Sequence, residues 1–173
     1  MPRYPSIPAG QRITGSLLAS MLPDIYWKTA NLDRSSTTTF ADDPDLTAQL
    51  EAGATYHVTF YLHYAALDVV RFKTMWNAPS GASGLRSAMG PDQGVVLSST
   101  SAGGTGRWGV HAFTTSVTYG TRDHATNQCA AIEEGTVTTT GAGTLALQWA
   151  QVTSNATAAR LGAGSSMHVR RLA

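Results

Sequence analysis

The sequence predicts an all-β fold, a jelly-roll-like β-sandwich with an N-terminal extended arm and one short helix. Three observations lead there. Short stretches of alternating apolar and polar residues recur from Tyr26 to the end of the 173 residues, as half-buried strands require. The connectors between them, DDPD, PSGASG, GPDQG, SAGGTG, TGAG and LGAGS, are turn chemistry. No long helical periodicity and no repeat of fixed period intervenes, which sets aside alternating α/β and repeat architectures.

The first thirty residues differ from the rest. Pro2, Pro5 and Pro8 recur at every third position and favour an extended, polyproline-like arm over a ligand for small recognition domains. Thr14 or Ser16 can cap a helix of about two turns carrying Leu17, Leu18, Met21 and Leu22, stopped at Pro23. Such a helix does not persist alone in water. Residues 1–30 are therefore expected to form an anchoring arm in which Pro5, Ile7, Pro8, Leu17, Leu18, Met21 and Leu22 make the contacts, with residues 31–173 as the β-sandwich domain.

Strands follow in order. In TYHVTFYLHY, Tyr56, Val58, Phe60, Leu62 and Tyr64 share one face. VRFKTMW turns Val70, Phe72, Thr74 and Trp76 the same way. HAFTTSVTY aligns His111, Phe113, Thr115, Val117 and Tyr119. TLALQWAQ places Leu145, Leu147 and Trp149 inward, and SSMHVRRL places Met167, Val169 and Arg171 together. YWKTANL, DLTAQL, GVVLS and EEGTVTTT are further strand candidates. The abundance of Thr and other β-branched residues agrees with this pattern.

Composition excludes several functions. With 12 Lys and Arg, 11 Asp and Glu, and a net charge of +1, there is no basic stripe for a nucleic-acid backbone, so no nucleic-acid partner is expected. No apolar run approaches a membrane span, and ITGSLLASML is too short and broken for a signal peptide. Cys129 is the sole cysteine, read as a small buried filler. Only 13% of residues are charged, about half the usual share, and strand faces carry Thr, Ala and aromatics where a monomer would show Lys and Glu. An oligomeric assembly is therefore expected.

The motifs carry little chemistry. Asp42, Asp43 and Asp45 crowd four positions around Pro44, which raises a cation site or an acid pair, but the spacing lacks the dozen-residue frame of a calcium loop. A structural turn is preferred, and exchanging all three for Asn is expected to lower stability little. GTGRWG matches a dinucleotide-binding string yet precedes strand-like sequence, so it reads as a loop. His57 and His63 share a strand face but stand too far apart for one metal, and His111, His124 and His168 lack ligand spacing. No nucleophile elbow accompanies the serines, and the glycosylation string at Asn155 matters only in a secretory pathway. No catalytic residue, cofactor or metal is expected. Tyr61, His63 and Trp108 are the candidate surface contacts, with stacking on sugar rings one role open to the aromatics.

Four blocks carry a resemblance: IPAGQRITGSLLASMLPD, TTTFADDPDLTAQLEAGATYHVTFYLHY, GTVTTTGAGTLALQWAQVTSNATAARLGAGS and SMHVRRL. Together they resemble small virion surface proteins of tailed bacteriophages infecting actinobacteria, the capsid decoration, head-fibre and minor tail proteins. The resemblance implies a non-enzymatic virion component, a homotrimer made in the host cytoplasm and not secreted. Its expected partners are the major capsid protein or tail proteins of the virion, with a host surface glycan as a further one. A capsid decoration or head-fibre protein leads; a minor tail or tail-fibre protein contacting the host and a carbohydrate-binding β-sandwich module are the alternatives.

Overall fold

The computed structural model describes residue 5 and residues 7–97 and 106–173. Pro2 of the proline repeat, Ser98 and most of the SAGGTG connector lie outside the described residues. One short helix, α1 (Gly15–Ala19), precedes twelve strands: β1 (Asp24–Trp27), β2 (Leu32–Arg34), β3 (Ala41–Leu50), β4 (Thr55–Ala66), β5 (Phe72–Asn77), β6 (Ser83–Pro91), β7 (Gly106–His111), β8 (Val117–Tyr119), β9 (His124–Thr138), β10 (Gly143–Gln151), β11 (Ala159–Leu161) and β12 (Ser166–Arg171). They form two antiparallel sheets. The larger runs β1-β12-β4-β9-β6-β7, with β11 beside β4 and β2 beside β11; the smaller runs β3-β10-β5-β8.

This order is a jelly roll. Take β1, β3, β4, β5, β8, β9, β10 and β12 as its eight strands. The two four-stranded layers are then 1-12-4-9 and 3-10-5-8, and every connection crosses between layers except β5 to β8. The β6–β7 hairpin is inserted into that exception and extends the larger sheet beyond β9. The β2–β11 pair continues the same sheet alongside the C-terminal end of β4, where Arg160 and Leu161 face Ala65 and Tyr64.

The core lies between the sheets. The alternation read in β4, β5 and β10 places Tyr56, Val58, Phe60, Leu62, Tyr64, Phe72, Trp76, Leu145, Leu147 and Trp149 inside, all buried. Aromatic rings interlock there: Phe60 meets Trp76 edge-on at 5.0 Å, Tyr64 stacks on Phe72 at 4.7 Å, and Phe113 stacks on Trp76 at 5.7 Å. Burying each such side chain contributes roughly 1.5–3 kcal/mol before chain entropy is subtracted.

Several expectations are corrected. HAFTTSVTY is not one strand: β7 ends at His111, a turn closed by Thr115 N–H on the Ala112 carbonyl follows, and β8 begins at Val117. Phe113 enters the core from that turn. Gly106–Gly109 of GTGRWG lie in β7, not in a loop. The region between PSGASG and GPDQG forms β6, and β9 begins at His124, well before EEGTVTTT. GVVLS contributes a single bridge, Val96 to Thr121. YWKTANL is split between β1 and β2, so residues 24–27, inside the span read as an arm, belong to the sheet: β1 pairs residue for residue with β12, and Lys28 just beyond it is buried.

The DDPD segment is not a turn. It lies within β3, where the register against β10 shifts between Ala146 and Gln148, so Asp43 to Leu46 bulge away from regular pairing. The bulge brings Asp43 inside. Its carboxylate accepts from the Lys28 ammonium at 3.0 Å, from Trp149 Nε1 at 3.1 Å, and from the backbone N–H groups of Asp45 and Leu46 at 3.1 and 3.2 Å. Asp45 takes a second bond from Lys28 at 2.7 Å. Lys28 and Asp43 are each almost wholly excluded from solvent. With Lys28 buried against Asp43 and Asp45, Asn at all three positions would leave the buried ammonium uncompensated, so a marked loss of stability is now the expectation.

Candidate functional site

Three groups of residues have features beyond simple packing: a buried polar cluster, the N-terminal segment, and the outer face of the larger sheet.

The buried cluster centres on Glu133 of β9 and Arg86 of β6, both fully buried and paired through Arg86 Nη1. Glu133 also accepts from Trp76 Nε1 at 2.6 Å, from Tyr119 Oη at 2.7 Å and from Thr74 Oγ1. Arg86 Nη2 donates to the Thr115 carbonyl at 2.6 Å. Burial, reinforced by the Glu133 charge, pushes the Tyr119 phenol well up. Strands from both sheets are tied by this cluster; both Glu133 oxygens accept from protein groups, while Arg86 Nε is buried without a hydrogen-bond partner. Burial likewise pushes the Cys129 thiol up, away from the range of a reactive thiolate. Among the described residues, no three His, Cys, Asp or Glu side chains are arranged to hold a metal ion.

In the N-terminal segment, Thr14 caps α1, its Oγ1 accepting from Leu17 N–H at 3.2 Å. The helix is five residues long, shorter than the two turns expected, and buries none of them. Among the expected arm contacts, Ile7, Leu18, Met21 and Leu22 stand in solvent at 44, 53, 37 and 69% exposure. Pro8 is exposed, while Pro5 and Leu17 are partly covered.

The outer face of the larger sheet carries rows of side chains set by strand register. One row runs Trp27, Ser166, Tyr61, Ile132, Met89, Trp108 across β1, β12, β4, β9, β6 and β7. The next runs Ile25, His168, Thr59, Glu134, Ser87, Val110 over the same strands. A third holds Arg170, His57, Thr136 and Leu85. Trp27, Tyr61 and Trp108 are 61, 40 and 76% exposed. Tyr61 is braced by an edge-on contact with the His168 ring at 5.1 Å. Trp108 lies over Gly106, where a Cβ would come within 2.6 Å of the indole.

Tyr61, His63 and Trp108, selected from sequence, all fall on this face, with Tyr61 and Trp108 in one row and His63 opposite Ala130. Trp27, Ile132, Met89, Glu134, Ser87 and Val110 were not selected. Ile132 and Met89 belong to strand regions that the alternation rule missed. Glu134 beside Glu133 gave no sign of which faced out.

No family model matches the chain, and no curated protein matches it. Among solved structures, the chain is similar to VP2 of infectious bursal disease virus in a subviral particle, at 10% identity and a TM-score of 0.21, covering 99% of this chain and 43% of that one. It is also similar to a structure of the Gx strain of the same virus, at 10% identity and a TM-score of 0.18, covering 87% of this chain and 38% of that one. The chain thus spans less than half the length of either. At scores this low, the jelly-roll assignment rests on the strand order described above.

Proposed function

We propose that the chain is a non-enzymatic structural protein of a virion surface, a capsid decoration or head-fibre protein held to the shell by its N-terminal arm and presenting the jelly-roll domain outward as a homotrimer. The observation that carries this reading is the uncovered apolar segment before β1. Ile7, Ile13, Leu18 and Leu22 are 44, 63, 53 and 69% exposed, left largely open by their own domain. Such side chains gain burial only against another surface. The jelly roll serves viral capsid and lectin domains alike, so the fold permits the role without selecting it. The sequence resemblance to phage virion surface proteins supplies the selection.

Labelling intact particles with an antibody against this chain tests the proposal. Label distributed over heads is the expected result. Label confined to tails would make it a minor tail protein, and absence from purified particles would remove the virion role altogether.

A further inference from the structure

We propose that the outer face of the larger sheet is a binding site for an uncharged oligosaccharide, with Trp108 and Tyr61 as stacking platforms and Ser87, Glu134 and His57 as its hydrogen-bonding groups. This inference holds whether the chain sits on a head or a tail.

Two adjoining hollows mark the site. One, of about 310 Å³, is lined by Trp108, Met89 and Val110 together with Ser87 and Glu134. The other, of about 500 Å³, shares Ser87, Val110 and Glu134 with it and continues past Thr136 to His57. Sugar recognition needs an aromatic or apolar plane for the C–H face of a pyranose and polar groups beside it for the hydroxyls. The hollows place both together. Ser87, Glu134, Thr136 and His57 make no side-chain hydrogen bond or ion pair to protein among the described residues, in contrast to the fully spent Glu133 next door. A carboxylate accepts from two neighbouring hydroxyls, the charge-assisted bond that gives orientation. Tyr61 lies in the same row as Trp108, three strand spacings or roughly 14 Å away, a span suited to a short oligosaccharide lying across the strands.

The polar groups beside the aromatic planes favour this occupant over a second copy of the chain: against an apolar protein surface Ser87, Glu134, Thr136 and His57 would lose water without gaining partners, whereas sugar hydroxyls supply both donors and acceptors. The row from Trp27 to Trp108 holds no charged side chain, and the carboxylate in the hollow is Glu134, which disfavours acidic sugars.

The test uses the full chain against an array of bacterial surface glycans and soluble neutral hexasaccharides, followed by calorimetric titration of the strongest binder. Binding of at least one neutral glycan is expected, with W108A weakening it at least about tenfold, W108F retaining most of it, and E134Q weakening neutral binding while relaxing the rejection of uronic-acid glycans. The unchanged melting curve of W108F guards against a folding artefact. Absence of binding across the array overturns the proposal, as does a bound glycan whose affinity ignores both W108A and E134Q. Conversion of an oligomer to monomer by W108A, without glycan binding, would assign the face to a second copy and overturn it equally.

Discussion

Lys28 is a lysine in a strand-like segment of unremarkable sequence, yet it is sealed between the sheets with its ammonium on Asp43 and Asp45. Asp42, one residue before Asp43, stands at the surface and bonds Asn77 and Gln148. The two aspartates should therefore respond differently to the same substitution. Asp43→Asn is expected to cost about 3 kcal/mol or more, and Asp42→Asn less than about 1 kcal/mol, in urea unfolding. Equal effects would mean that the buried pair does not form. His111 supplies a pH dependence. Its Nε2 is buried without a partner, and burial together with the Arg86 and Arg107 charges holds its pKa below the ordinary value, against a smaller opposing pull from Glu133. The unfolded chain binds a proton at about pH 6.5 while the folded chain resists it. This contribution is thus present above pH 6.5 and lost as pH falls through the folded value. Unfolding free energies measured from pH 8 to pH 5 should decline on the acid side, and His111→Gln should flatten part of that decline.

At the scale of elements, β6 and β9 show where reading by alternation stops. In β4, β5 and β10, inward positions are apolar and the pattern announces itself. In β6 the inward side chains are Arg86 and the small Ala88, and the outward ones are Leu85 and Met89; in β9, Glu133 points in and Ile132 faces out. A buried ion pair inverts the apparent phase of both strands, and Gly84, Gly90 and Pro91 disguise β6 as connector. The candidate face was legible only through residues on strands whose phase was clear, such as Tyr61, or through bare exposure of an aromatic, as at Trp108. The DDPD bulge was misread because a proline after two aspartates is ordinary turn chemistry, and only the partner from β1 shows why the backbone bends inward. Gly84 tests the β6 assignment. Its φ is +142°, and a Cβ there would lie 1.9 Å from the Thr136 carbonyl oxygen and 2.9 Å from the Phe113 ring. Gly84→Ala should cost about 1–3 kcal/mol and raise amide hydrogen exchange first in β6 and β7. Unchanged protection in that hairpin would contradict the pairing.

For the whole molecule, the boundary between arm and domain becomes testable. Strand β1 is tied to β12 and Lys28 to β3, whereas residues 7–22 supply only partial cover to the sandwich. Removing residues 1–22 should leave the melting temperature within a few degrees of the parent while abolishing incorporation into particles. A truncated chain that no longer folds would make the arm part of the core, and normal incorporation would move the anchoring role to the domain. Native mass spectrometry of the isolated protein is expected to show a trimer, and monomer alone at micromolar concentration would count against that assembly.

Where the arm holds a particle, every pull on the domain reaches it through β1, an edge strand of four residues hydrogen-bonded on one side only. Tension that peels β1 away from the Asp24 end would open its bonds to β12 one after another, a low-force route. The peeling ends at Lys28, whose bonds to Asp43 and Asp45 run to β3 in the opposite layer. Beyond that point both layers carry the load together. With the arm so held, the buried lysine would act as a mechanical stop between a yielding tether and a stiff body.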